Sequence, residues 1–200
     1  MYDSVNACRV SAVSESEHSP SRAERHRQTE ARILVAGRDL FVRLGYERTT
    51  IRAIAAAAEV DPSLVMQYFG SKDRLFREAA SLPQDQDLTG DPEGLTGHLT
   101  TMLGLKLGGL PEASLTALRS ALTHPEAAER VRQVQAHHVS QIGASMPGED
   151  AELRAALIVA IMLGVTIERH LIELGPLHDA SYEEITELLR PCLETLTQAG

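Results

Sequence analysis

The sequence predicts an all-α protein built in two lobes, and three observations carry that expectation. Apolar residues recur at three- and four-residue spacing in segment after segment, and no alternating run reads as a strand. Helix-start signals, Asp-Pro, Pro-Glu or Ser-x-x-Glu, stand in front of those segments. The charge is also divided: residues 21–80 carry 11 Lys or Arg against 8 Asp or Glu, while residues 81–200 carry 7 against 17. The formal charge of −9 therefore averages a basic part and an acidic part, which implies two tasks.

Taken in order, residues 1–20 lack apolar periodicity and are expected to form a disordered tail. From about Thr29, the residues Ile33, Gly37, Leu40, Phe41 and Leu44 line one face of a first helix, with Gly45 placed as its C-cap. Thr50 is placed to cap a second helix with Ile51, Ile54, Ala55 and Ala58 on one face. Asp61-Pro62 starts a third after a short turn, Gly70 stops it, and Ser71 caps a fourth with Leu75, Phe76 and Ala79 as its apolar face. The polar stretch SLPQDQDLTGDPEG (81–94) reads as a connection between lobes.

Further helices are expected to open at Asp91-Pro92, Pro111-Glu112 and His124-Pro125-Glu126, the last continuing to about Ser145. Segment 149–174 has a middle that is apolar all round and should be buried on most sides. The final segment opens with a Ser181-x-x-Glu184 capping box and carries Ile185, Leu188, Leu189, Cys192, Leu193 and Leu196 at helical spacing. Pro191 falls inside that pattern and is expected to kink or weaken it. The count comes to about nine helices.

Several classes of function lose support. The N-terminus has no basic region followed by an apolar core, and the longest uncharged apolar run, 155–167, falls short of the ~20 residues a membrane span needs. Cys8 and Cys192 form no CxxC pair, which suits a reduced, cytoplasmic protein with no membrane partner. There is no GxSxG, no Cys-His pair in context, no paired carboxylates in an apolar setting and no Gly-rich phosphate loop, so neither an enzyme nor a cofactor is expected. Adjacent His137 and His138 point to different sides of a helix, and with His124 and His170 they give no ligand spacing; no metal site is expected.

Two short helices joined by a tight turn, the second entered through Asp-Pro, make the pattern of a helix-turn-helix whose second helix enters the DNA major groove. Ser63 and Gln67 stand four apart on one face of that helix; Gln can read adenine bidentately and Ser can meet a base edge. Thr50 and Lys72, at helix starts, can meet phosphates. The ordered set Gly45-Tyr46, Thr49-Thr50, Ile54-Ala55, Val60, Tyr68-Phe69, Ser71-Lys72 and Leu75, within Ile33 to Leu75, resembles the DNA-binding domain of the TetR/AcrR family of bacterial transcriptional regulators.

The resemblance implies a helix-turn-helix domain of three helices over 21–71 and a helical ligand-binding and dimerisation domain over 72–200. It implies a ligand-responsive repressor that binds a palindromic operator as a homodimer through residues 62–69 and is released by a small-molecule inducer. The implied DNA contacts are Thr49, Thr50, Arg52, Ser63, Leu64, Met66, Gln67, Tyr68 and Lys72. Met66 and Tyr68 depart from the family, in which Tyr and His often hold those places; Met66 cannot give a phosphate a hydrogen bond, and Arg52 with Arg22, Arg25 and Arg27 is offered in compensation. An alternative reading is a dimeric interaction protein whose helix-turn-helix no longer reads DNA.

For the ligand, the resemblance points to the fourth to eighth helices, where Met102, Leu118, Leu122, His138, Met162, Thr166 and His170 are available. With aromatics at 4% and no Phe or Trp after Phe76, an apolar pocket with Met and His is the expected style. The Gly-rich run 103–114 reads either as a rim of that pocket or as a loose connection. The dimer interface is expected on the last two helices, at Ala160, Ile161, Gly164, Ile185, Leu188, Leu189, Cys192 and Leu196, with Ala160-x-x-x-Gly164 allowing close helix approach.

Overall fold

A computed structural model describes residues 21–81 and 90–198. The expected tail at 1–20 and most of the expected connection, 82–89, lie outside the described residues. Those described form ten α-helices and no strand: α1 Arg22–Arg48, α2 Ile51–Ala57, α3 Pro62–Phe69, α4 Lys72–Ala79, α5 Pro92–Leu107, α6 Glu112–Ala121, α7 Pro125–Ala144, α8 Ala151–Ile167, α9 Gly175–Asp179 and α10 Tyr182–Thr197. A π-helical turn over Glu168–Ile172 prolongs α8, ending at Glu173 with φ 56°. The tenth helix, against the nine expected, is α9, five residues opened by Pro176 where the sequence offered no apolar period.

Local rules account for most helix starts. The side chains of Thr50, Asp61, Ser71, Asp91 and Ser181 each accept a backbone N–H of the helix that follows. Helix α1 begins earlier than expected because Ser21 and Glu24 form a reciprocal capping box, Ser21 N–H donating to Glu24 Oε2 over 2.6 Å. At its other end Gly45 does not simply cap. It breaks α1 at φ 77° and ψ 167°, and Tyr46–Arg48 make a further turn. Helix α10 runs unbroken through Pro191, which is exposed, so water can reach the carbonyl left without a donor.

Two apolar cores result. Ile33, Phe41, Ile54, Val65, Phe69, Leu75 and Phe76 gather α1 to α4, joined by Leu105 from α5. Leu95, Leu99, Leu103, Leu107, Ile142, Ile158 and Leu193 gather α5, α7, α8 and α10. Arg154 closes the second lobe: buried, it binds Asp150 Oδ1 (2.9 Å), the carbonyls of Leu196 (3.0 Å) and Gln198 (2.9 Å), and the carbonyl of Pro147.

Segment 149–174 is a correction. Over Ala151–Ile172 the chain is long and apolar enough to cross a membrane by length and composition, but Ala155, Ile158, Val159 and Met162 face the core and Arg154 holds the lobe shut. Its other side, with Leu153, Leu157, Ala160 and Gly164, is exposed rather than buried.

Candidate nucleic-acid interface and effector cavity

Helix α3 has eight residues, too few to persist alone, and is held by two side chains. Val65 and Phe69 are fully buried, each contributing about 1.5–3 kcal/mol by area. With that face committed, Ser63, Met66 and Gln67 stand exposed on the other, and Leu64 and Tyr68 lie half-buried between. Asp61 Oδ1 accepts from Ser63 N–H (2.8 Å) and from the Ser63 hydroxyl (2.5 Å). The bonds from Ser63, side chain before backbone, hold the Asp61 carboxyl below its usual range. Ser63 therefore faces outward as an acceptor, its own proton spent on the cap.

The flanking residues divide into three kinds. Thr50 Oγ1 accepts from Ala53 N–H (3.1 Å) and its hydroxyl proton has no acceptor among the described residues, and exposed Arg52 makes no ion pair among them. Lys72 lies with its ammonium 4.1 Å from the centre of the Tyr46 ring and reaches the Glu47 carbonyl at 3.4 Å. Thr49 is a correction: it is 1% exposed, and its hydroxyl donates inward to the Leu40 and Gly45 carbonyls, which makes it an internal brace rather than a DNA contact.

Two supports were not read from the sequence. The Tyr68 ring lies 4.3 Å from the His26 ring, and its hydroxyl donates to the His26 carbonyl over 3.4 Å, tying α3 to the start of α1. The Tyr46 hydroxyl donates to Asp73 Oδ1, and burial first, then that bond, pushes the phenol well above its usual range. Tyr46 packs edge-on against Phe76 and stacks on Phe41, so it fixes the entry to α2 and α4 together.

In the second lobe a cavity of about 10 Å³ is lined by Met102, Lys106, Gln135, His138, Ile142, Val159, Met162 and Leu163. It includes three of the seven expected ligand residues. Leu122 is 75% exposed at the end of α6; Thr166 spends its hydroxyl on the Met162 carbonyl (2.6 Å); His170 donates Nε2–H to the Lys106 carbonyl (2.8 Å); half-buried Leu118 does not line it. Burial, then Lys106 and His137, depress His138 to about 4, so its imidazole is neutral at pH 7. Lys106 was missed, although a lone cation inside LGLKLGGL was a legible signal. Of the expected interface residues, Ile185 is a correction, buried at 5% in the lobe's own core; Leu189 and Leu196 are half-buried on that core, Ile161 is half-buried, and Ala160, Gly164, Leu188 and Cys192 are exposed.

A short capped helix with its inner face locked in the core of α1 to α4, beside a second helical lobe that holds a cavity, makes a helix-turn-helix fold with a helical C-terminal part. The family pattern for bacterial regulatory proteins of the tetR family matches residues 33–79, and the pattern for the tetracyclin repressor-like C-terminal domain matches residues 99–196. The chain belongs to the TetR family of bacterial transcriptional regulators.

No curated protein matches the chain. Solved structures do. A TetR-family regulator from Streptomyces coelicolor is 22% identical, covering 90% of this chain and 98% of that one with a TM-score of 0.31. NalD of Pseudomonas aeruginosa, described as the secondary repressor of the MexAB-OprM multidrug efflux pump, is 22% identical over 84% of this chain and 95% of its own, with a TM-score of 0.34. A TetR-family regulator from Mesorhizobium loti is 15% identical, covering 88% and 97%, with a TM-score of 0.40.

Proposed function

We propose that this protein is a cytoplasmic, ligand-responsive repressor that binds a palindromic operator as a homodimer and leaves it when a small molecule occupies the C-terminal lobe. The observation that carries the reading is Gln67, exposed on a helix whose opposite face is locked in the core and whose start is fixed by Asp61-Pro62. Gln67, Ser63 and Leu64 read bases in the major groove. Thr50, Arg52, Lys72 and, through its ring edge, Tyr68 hold the backbone, while Met66 packs on sugar or a thymine methyl. The exposed stripe of Leu153, Leu157, Ala160 and Gly164 on α8 and Leu188 with Cys192 on α10 meets its copy, setting the spacing of two half-sites.

Gel-shift titration against the DNA upstream of the protein's own reading frame tests this. Gln67→Ala should relax discrimination at one base position by about 1–3 kcal/mol. Arg52→Ala and Lys72→Ala should weaken binding to all sequences and each lower the salt slope by about one. Absence of any shift at low salt would favour the interaction protein that no longer reads DNA, a reading that the 44% exposed, apolar Met66 in the middle of the face supports.

A further inference from the structure

Lys106 stands on α5 among apolar residues, lines the cavity, and is half-buried. Among the described residues no carboxylate lies within ion-pair distance of its ammonium, and no side chain accepts a hydrogen bond from it. His138, across the cavity, supplies no counter-charge, and the groups that act on it electrostatically are Lys106 and His137, both basic. Gln135, whose Oε1 lies 3.4 Å from His138 Nδ1, is the remaining polar wall. An ammonium partly withdrawn from water with no acid beside it is costly to a fold, and that desolvation lowers its proton affinity.

The cavity alone, at about 10 Å³, has room for about one water. Behind it lies an open groove of about 410 Å³ between α7 and α8, which shares Gln135, Val159 and Leu163 with the cavity and is otherwise walled mainly by Ala136, Val139, Ala156 and Ala160, with Arg132 and Glu152 also lining it. That volume falls in the range of pockets for small organic molecules. Arg132 is paired with Glu129 and is exposed. The unpaired charge is therefore at the inner end and the apolar surface lies along the way in.

We infer that the cavity and groove together take a small apolar molecule with a single carboxylate head, the head pairing with Lys106 and the body lying along the α7–α8 groove. The inference rests on the reading of the C-terminal lobe as the effector-binding lobe, and it narrows the effector to organic acids. In the proposed homodimer the Ala160 wall of the groove borders the partner copy, which would roof the bound molecule.

Isothermal titration calorimetry on the full chain, without DNA, tests it with octanoate and 3-phenylpropanoate against their neutral isosteres octanamide and 3-phenylpropanamide. At least one acid should bind the wild-type protein about tenfold or more tighter than its amide, the scale of a hydrogen bond to a charged group. Lys106→Met should abolish that preference while leaving the amide's affinity in place, and Lys106→Arg, which keeps the charge, should retain it. Circular dichroism confirms that each variant is helical. Equal binding of acids and amides, binding of neither acid, or an acid preference that survives Lys106→Met would overturn the inference. Because DNA is absent, such a failure is separate from a failed gel shift, which bears on the regulator reading alone.

Discussion

Replacing Gly45 with alanine tests how the helix-turn-helix is seated on the rest of the chain. Gly45 is buried with φ 77° and ψ 167°, a region essentially reserved for glycine, and a Cβ there would lie 2.3 Å from the Gly108 carbonyl oxygen. The backbone strain costs about 1–3 kcal/mol. Forcing apart two backbones that already touch adds roughly another 1–3 kcal/mol, the usual cost of overpacking. Gly70→Ala separates the two effects, because Gly70 has a similar φ of 71° but nothing within 4 Å of its added carbon. Both variants put an alanine at positive φ, with ψ −37° at Gly70 against 167° at Gly45, and only Gly45→Ala adds the clash, so it should melt lower than Gly70→Ala by about 2–12 °C, at roughly 2–4 °C per kcal/mol for a chain of this size. Scanning calorimetry of the two proteins reads the difference directly. Equal Tm values, or a lower one for Gly70→Ala, would refute a tight Gly45–Gly108 junction.

Two further outcomes follow from the second lobe. His138 titrates near 4 in the fold against 6.5 when free, so the unfolded chain binds more protons between those values; stability is complete above about pH 6.5 and is lost as pH falls toward 4. Thermal melts from pH 7 to pH 4.5 should show that loss, and His138→Gln should flatten it, leaving the smaller contributions of His98 and His170, which burial also lowers. Leu188, 83% exposed on α10, should be central to self-association: Leu188→Glu is expected to give a helical monomer by analytical ultracentrifugation, and a wild-type chain that sediments as a monomer would remove the homodimer.

What could be read in the sequence is what is decided within a few residues. Thr50, Asp61, Ser71 and Ser181 were legible as caps because each bonds to a backbone N–H two or three positions on. Ser63 and Gln67 were legible as one exposed face of α3 from their four-residue spacing alone. Thr49 and Ile185 misled because their neighbours in sequence do not show what covers them: Thr49 is sealed by the broken end of α1, and Ile185 by the core of the second lobe. Gly45 carried a true signal for a helix break, but the reason only glycine fits is a carbonyl far along the chain at Gly108. Of the cavity, Met102, His138 and Met162 were named on resemblance, whereas Lys106 needed the structure to show a cation with no acid beside it.

That cation also lies where a ligand could act on the helix-turn-helix lobe. The four residues 106–109 leave α5 under restraint from one side: His170 donates to the Lys106 carbonyl and Arg169 Nε–H to the Leu107 carbonyl over 3.0 Å. On the other side Gly108 presses its carbonyl on Gly45, and Gly109 lies against the Tyr46 backbone. Tyr46 in turn bonds Asp73 and lies under Lys72, at the start of α4 and beside the turn that ends α3. An effector shifts an equilibrium only by binding its two states differently. In the proposed response, an acid whose head pairs with Lys106 favours the state in which 106–109 shift from Gly45. The first element freed would be the kink that sets α1 against the helix-turn-helix, and in the proposed homodimer that would change the separation of the two α3 helices without any contact between ligand and DNA.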